Sequence, residues 1–275
     1  MITKANAFDG AMQSALALRR TLEFDDNSPI GVILGTGWGD KLELQNAREL
    51  PMAEMNAFKT GLDELAGHSR KYVYGRCEGV PVLALSGRIH LNERPADPDL
   101  QRMVRQQVEC MILIGAKKVV LTCAAGSLKD YVKVGSVVII DGFVSTFLGD
   151  RPLFAGEFCC ADDVLSPQMI SVAEKLGSSY SGGVAVGGHV YYRGPNFEGR
   201  KYDKPLLRQT GATVVGMSVL PEALVCATYK HVKVLALAFV TNDDVEEHSH
   251  ETNLDRAQKM GPELSRYLRS IICYI

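Results

Sequence analysis

The chain has 275 residues, with 32 acidic against 30 basic side chains, a net charge of −2, 46% hydrophobic residues and 23% charged ones. The balanced charge excludes the basic footprint of a nucleic-acid binder, the composition excludes disorder, and no apolar run reaches the roughly 18 residues of a membrane span. About three quarters of the unfolded chain's surface can be buried at this length without a disulfide or metal staple, so one domain over 1–275 is expected.

The opening stretch Met1–Asn6 carries no signal-peptide core. Seven cysteines without a CxxC spacing, two of them adjacent at Cys159 and Cys160, predict reduced thiols in a cytoplasmic protein. Residues 6–23 place Phe8, Met12, Ala15, Leu16 and Leu22 at helical spacing. Ile30–Leu34 is a short apolar run stopping at Gly35, which reads as a buried strand. Lys71–Cys77 and Pro81–Leu85, either side of Glu78-Gly79, predict a hairpin. Asp97-Pro98 opens a helix whose buried stripe runs through Leu100, Met103, Val104, Val108, Met111 and Ile112, and Gly115 ends it. Further strands are expected at 119–122, 136–140, 184–191, 213–217 and 232–241, and helices at 166–176, 200–210, 221–230 and 252–272. Strands alternating with helices predict an α/β fold with a mixed or parallel sheet covered on both faces. The stretch 142–163 is the longest irregular one, a length that suits a functional or partner-facing loop.

In such sheets ligands sit at the carboxyl ends of strands, so the residues after each strand carry the functional signal. Gly35-Thr36-Gly37-Trp38-Gly39 can turn backbone amides and a hydroxyl towards an anion, or can simply be a tight turn. It is not the dinucleotide GxGxxG, and no acidic ribose ligand follows the second strand. In Ser86-Gly87-Arg88-Ile89-His90 an extended backbone puts Arg88 and His90 on one face, a donor pair suited to phosphate or carboxylate, unless both are solvated surface groups. His68 alone reads as structural. Cys123-Ala124-Ala125-Gly126-Ser127 allows close backbone approach; Cys123 reads as a packing residue, because nothing near it in sequence lowers a thiol pKa. In Arg193-Gly194-Pro195-Asn196-Phe197-Glu198 the aromatic face and the carboxylate could hold a heterocycle, or could be core and helix start. Ser218 is a helix N-cap by default and an anion ligand by option. Thr241-Asn242-Asp243-Asp244 reads as a turn or a base reader. His248-Ser249-His250 lacks a third ligand at metal spacing, so no metal is expected.

Taken together these blocks resemble the trimeric purine nucleoside phosphorylases, a family that includes the methylthioadenosine phosphorylases. The resemblance runs from about Ile30 to Leu268. It is carried by the segments 31–39, Gly67-His68, 87–93, 122–128, 194–198, 215–222, Thr241-Asn242 and 249–251. It implies a single domain with a central mixed, partly barrel-like sheet flanked by helices, a homotrimer, and reversible phosphorolysis of 6-oxopurine ribonucleosides or deoxyribonucleosides such as inosine, guanosine or xanthosine. Inorganic phosphate would be the co-substrate, with no cofactor.

Carried over residue by residue, phosphate would meet Thr36, Arg88, His90, the backbone N–H of Ala124 and Ser218, with His68 nearby. Glu198 and Asn242 would hold the purine, Phe197 would pack along it, Met217 would lie under the ribose and His250 would reach its 5′-hydroxyl. Glu198, Asn242 and His90 would be the catalytic set. Asn92, at a sugar-contacting position, and His189 both stand where the family usually carries tyrosine; Cys123 replaces asparagine and Thr36 serine. A phenylalanine of the 147–163 loop, Phe154 or Phe158, would close the neighbouring subunit's site. The alternatives are a methylthioadenosine phosphorylase, against which Asn242 argues because that subfamily tends to carry aspartate there, and a low-activity nucleoside-binding paralogue, which Cys123 and Asn92 make credible. A nicotinamide-dependent oxidoreductase built on the 35–39 turn is a third, weakened by the missing fingerprint.

Overall fold

Five buried residues in a row, Ile30–Leu34, form strand β1, which pairs in parallel on both sides. A strand flanked by neighbours and covered on both faces needs no polar alternation, hence the unbroken apolar run. The structure, a computed structural model, describes residues 4–25, 28–38, 42–58, 70–94, 96–149, 151–154, 156–194, 199, 201–243 and 250–275, without the side chains of 4–7 and 250–254. The other strands are β2 (Gln45–Pro51), β3 (Lys71–Cys77), β4 (Val80–Ser86), β5 (Lys118–Ser127), β6 (Val137–Val144), β7 (Val184–Tyr191), β8 (Val214–Gly216) and β9 (Lys233–Asn242). The helices are α1 (Lys4–Leu22), α2 (Pro98–Ile114), α3 (Pro167–Leu176), α4 (Asp203–Gln209), α5 (Leu220–Ala227) and α6 (His250–Tyr274).

The strands join in the order β2-β3-β4-β1-β5-β8-β7-β6-β9, and β5 also pairs with β9. That last pairing closes β5, β8, β7, β6 and β9 into a five-stranded mixed barrel, with β1, β4, β3 and β2 extending from it as an open wing. The fold is therefore the mixed, partly barrel-like α/β arrangement that the sequence resemblance implies. The side chains of β1 divide by the strand period: Ile33 faces a core built with α1, α2 and α5, whereas Val32 and Leu34 face one built with α3 and α6. Helices thus cover both faces.

Local chemistry explains the boundaries. Glu78 and Gly79 both take positive φ, 48° and 86°, as a two-residue hairpin turn between β3 and β4 demands. The Asp97 side chain caps α2 on the Asp99 N–H, and Gly115 ends it at φ 124°.

Three expectations change. β2 has no counterpart in the sequence reading: it is a polar edge strand with five consecutive exposed residues and an irregular register at Asn46, so it shows neither alternation nor an apolar run. β5 continues five residues past Thr122 to Ser127, because its small residues pair with β8 and β9. The irregular stretch is shorter than 142–163: β6 runs to Val144, and Ala161–Val164 is a 3-10 turn. All seven cysteines are free. Among the described residues no helix is long and apolar enough to cross a membrane.

Candidate active site

The carboxyl ends of β1, β4, β8 and β9, and the second half of β5, carry Thr36, Arg88, His90, Ala124, Met217, Ser218 and Asn242. After β1, Trp38 N–H closes a turn on Gly35 O (3.0 Å), with Gly37 at φ 86°. The turn is pressed against β5: Gly35 N–H donates to Thr122 Oγ1 (2.9 Å), and buried Trp38 Nε1 donates to Cys123 O (3.0 Å). A Cβ on Gly35 would lie 2.5 Å from Thr122 O, so close approach of two backbones requires glycine there. Half-buried Thr36 sits in this turn, one strand from Ala124.

After β4, Gly87 takes φ 73° and the chain leaves the strand. Arg88 and His90 consequently do not stand side by side on an extended face. Arg88 is 4% exposed. Its Nη1 donates to Glu222 Oε1 (2.8 Å), and its Nη2 donates to the backbone oxygen of Thr122 and lies 3.5 Å from that of Ile33. His90 is one-third exposed beside Glu93 (Nδ1 to Oε1, 3.5 Å). Glu93 also accepts from His90 N–H (2.8 Å) and pairs with Arg70 (2.8 Å). Burial pushes the Glu93 carboxyl up, but the His90 hydrogen bonds and the Arg70 charge outweigh it and hold the pKa below its ordinary value. Between the two, Ile89 is pinned by Gln107 of α2, whose amide accepts from Ile89 N–H (2.8 Å) and donates to Ile89 O (3.0 Å). Glu93, Gln107, Thr122 and Glu222 therefore position the segment, and none of them carries a role in the sequence reading.

Within β5, Cys123 is buried and its thiol is pushed up to about 12, chiefly by desolvation. It is a packing thiol, as its sequence surroundings suggest. After β8, Met217 and Ser218 are half-buried. Ser218 is not the N-cap of α5. That position falls to Val219, which takes φ 67° and ψ −39° in a three-residue turn closed by Leu220 N–H on Ser218 O (2.9 Å). A β-branched residue in that region is strained, and such strain persists where the surroundings over-determine it. His90, Met217, Ser218 and Glu222 line one small cleft, so the ends of β4 and β8 meet. Asn92 joins them, its Nδ2 3.8 Å from Met217 Sδ.

At the end of β9, Asn242 is 3% exposed and its Oδ1 accepts from the Thr241 hydroxyl (3.1 Å). Arg256 of α6 holds Thr241 O (2.9 Å). His250 is the first residue of α6, but its side chain, like the whole of His68, Phe197 and Glu198, lies outside the described residues. Phe154 packs under the Arg105 guanidinium (4.8 Å), whereas Phe158 is 96% exposed. Arg105 of α2 ties that loop to the helix through Glu157 (2.6 Å) and Pro152 O (3.2 Å), and is itself held by Glu109 one turn on (2.7 Å).

His189 is fully buried on β7, edge-on to Phe143, and both ring nitrogens lack a partner among the described residues. Asn92 Oδ1 and Glu222 Oε2 share that state. A Cβ on Gly216, the residue before Met217, would lie 2.8 Å from His189 Nε2. Buried polar atoms are normally bonded, and these unpaired ones gather around the end of β8, where a ligand could satisfy them. Desolvation lowers the His189 pKa from 6.5 to about 3. The folded pKa lies below the unfolded one, so this contribution to stability is full above about pH 6.5 and is lost as pH falls towards 3. Each pH unit below 6.5 is expected to remove about 1.4 kcal/mol, roughly 2 kcal/mol by pH 5. Urea unfolding from pH 7 to 5 should show that slope in the native protein and its absence in His189→Gln; equal slopes would contradict it.

Residues 29–272 match the family model of the phosphorylase superfamily. The chain is 32% identical over 234 residues to a purine nucleoside phosphorylase of Mycobacterium tuberculosis, covering 82% of each chain. It is 26% identical over 259 residues to purine nucleoside phosphorylase 1 of Bacillus subtilis, covering 90% of this chain and 92% of that one. In fold it matches isoform 2 of purine nucleoside phosphorylase from Schistosoma mansoni, solved with cytosine and ribose-1-phosphate, at a TM-score of 0.84 and 23% identity, covering 97% of this chain and 96% of that one.

Proposed function

We propose, because this chain belongs to the phosphorylase superfamily and aligns with its purine nucleoside phosphorylases along most of its length, that it is a pentosyltransferase which splits 6-oxopurine nucleosides with inorganic phosphate. The observation that carries the reading is the meeting of strand ends: His90, Met217, Ser218 and Glu222 line one cleft, and Glu222 is paired with the buried Arg88 behind it. Phosphate is a dianion, and its natural donors are charged side chains, hydroxyls and oriented amides; Arg88, His90, Thr36, Ser218 and the Ala124 N–H supply each kind, and the family resemblance adds His68. Met217 and Asn92 flank the sugar, with His189 behind Gly216 and His250 at the 5′-hydroxyl. Glu198, Asn242 and Phe197 hold the base.

In the reaction the bond from C1′ to the purine nitrogen breaks, and its electron pair leaves with the base. Positive charge grows on the sugar and negative charge on the purine. A phosphate oxygen then attacks C1′ from the opposite face, inverting the anomeric centre and giving ribose 1-phosphate. Asn242 and Glu198 hydrogen-bond the departing base more strongly as its charge develops, which is where a rate gain arises. Holding phosphate and nucleoside together supplies the rest. Neither a metal nor an organic cofactor enters this scheme.

The test is base release from inosine and guanosine with and without phosphate, with the sugar product identified. Turnover should require phosphate or arsenate and yield a 1-phosphosugar with phosphate. Equal release in phosphate-free buffer would make the protein a hydrolase. Glu198→Ala should lower kcat/KM by about 100-fold, since a charged hydrogen bond is worth about 1.5–3 kcal/mol and its share grows in the transition state. Native kinetics in that variant would place the base elsewhere.

The reading carries a cytoplasmic homotrimer. Phe158, rather than Phe154 under its Arg105 lid, is the aromatic free to enter a neighbour's site.

A further inference from the structure

Arg88 already has a resident anion. Its guanidinium and the Glu222 carboxylate are 2.8 Å apart, each side chain 2% exposed. Nη2 is occupied by the backbone oxygens of Thr122 and Ile33, and one Nη1 hydrogen by Glu222. Of the five N–H groups of an arginine, the Nε–H and the second Nη1–H remain; they lie on different edges of the guanidinium plane, and the side-on edge of Nε and Nη2 is already committed through Nη2. An anion reaching the second Nη1–H shares that nitrogen with Glu222, so two negative groups lean on one cation in a site where water screens little. Glu222 Oε2, meanwhile, is buried without a partner among the described residues. A carboxylate kept only to secure Arg88 would gain from bonding both oxygens. This one is half-satisfied and lines the cleft with His90 and Ser218.

We propose that Glu222 is a positioning residue and resident counter-ion for Arg88: it holds the guanidinium in place while opposing the incoming dianion, and so keeps phosphate affinity below what the donor set would otherwise reach. The proposal rests on the reading of Arg88 as a phosphate ligand. The two functions separate by substitution. In Glu222→Gln the amide oxygen can still accept from Nη1, so Arg88 stays in place, but the opposing charge is gone. In Glu222→Ala the guanidinium loses its anchor as well.

The experiment is phosphate binding by titration calorimetry, with melting temperature followed against phosphate concentration, on native protein, Glu222→Gln and Glu222→Ala, together with KM for phosphate and for nucleoside. Glu222→Gln should bind phosphate at least tenfold more tightly, gain more melting temperature per decade of phosphate than native protein, and keep its nucleoside KM within about threefold. Glu222→Ala should bind phosphate more weakly than Glu222→Gln. A purely structural Glu222 would give variants that lose stability without a gain in phosphate affinity, which overturns the proposal. Should Glu222→Gln not fold, Glu222→Asp, which keeps the charge but withdraws it by one methylene, should shift phosphate affinity the same way by a smaller factor; no gain there overturns the proposal too. If native turnover ignores phosphate, the phosphorylase reading fails first. If native turnover needs phosphate and neither variant binds it more tightly, only the counter-ion role fails.

Discussion

Arg88→Met should lower the melting temperature by about 10 °C and reduce kcat/KM for phosphate by about a thousandfold. The first effect follows from the pair: Arg88 and Glu222 are buried together at 2.8 Å, and removing the cation leaves a carboxylate uncompensated in a dry site. Breaking such a pair costs about 3–5 kcal/mol, and at this chain length each kcal/mol shifts melting by roughly 2–4 °C. The second follows from losing a permanently charged donor to a dianion, with charge-assisted bonds of about 1.5–3 kcal/mol each and the long-range attraction of the charge itself. The effects can be separated. Pairing Arg88→Met with Glu222→Met removes both charges, which is often neutral for stability when the volume is kept. The double variant should therefore recover most of the melting temperature and none of the turnover. Recovered turnover would remove Arg88 from the phosphate site, and native stability in the single variant would mean that the ion pair contributes nothing.

Much of this was legible in the chain. Ile30–Leu34 and Val184–Tyr191 read as strands to the residue, the first because a fully buried parallel strand is an apolar run closed by glycine, the second although its first five residues are only half-buried. Gln45–Pro51 did not, since an edge strand buried on neither face has no pattern to read. The proposed ligand residues Thr36, Arg88, Ala124, Ser218 and Asn242 could be singled out because an α/β sheet presents such groups towards the ends of its strands. The Arg88–Glu222 pair could not: its members are 134 residues apart, and only the chain of pairings β4 to β1, β1 to β5 and β5 to β8 brings them together. Spacing alone placed Arg88 and His90 on one face. The positive φ at Gly87 breaks that periodicity, sending Arg88 inward and leaving His90 at the cleft. The strained backbone at Val219 was equally hidden, because nothing in Ser218-Val219-Leu220 requires it; it is imposed where a strand must turn at once into a helix.

On the proposed reading Asn242 selects the base, and Asn242→Asp should invert the preference. Asn242 ends β9 opposite Gly126, 3% exposed, with its Oδ1 accepting from Thr241 and the strand end held by Arg256. A side chain fixed in this way cannot swing to suit another ligand. A 6-oxopurine offers an acceptor at O6 and, when N7 is protonated, a donor there; an amide carries both complements. A 6-aminopurine offers donors at both places, which an acceptor-only carboxylate matches. In each mismatched case a buried polar group goes unpaired, and a site built on hydrogen bonds rejects such a ligand far more strongly than one built on shape. The native protein should favour inosine over adenosine, and the substitution should move the ratio of kcat/KM towards adenosine by about two to three powers of ten. Thr241 can still donate to the carboxylate, so the fold need not change around it. The measurement is that ratio in both proteins, with phosphate saturating. A native preference for adenosine, or an unchanged ratio in a variant that still turns over, would show that base selection lies with other residues.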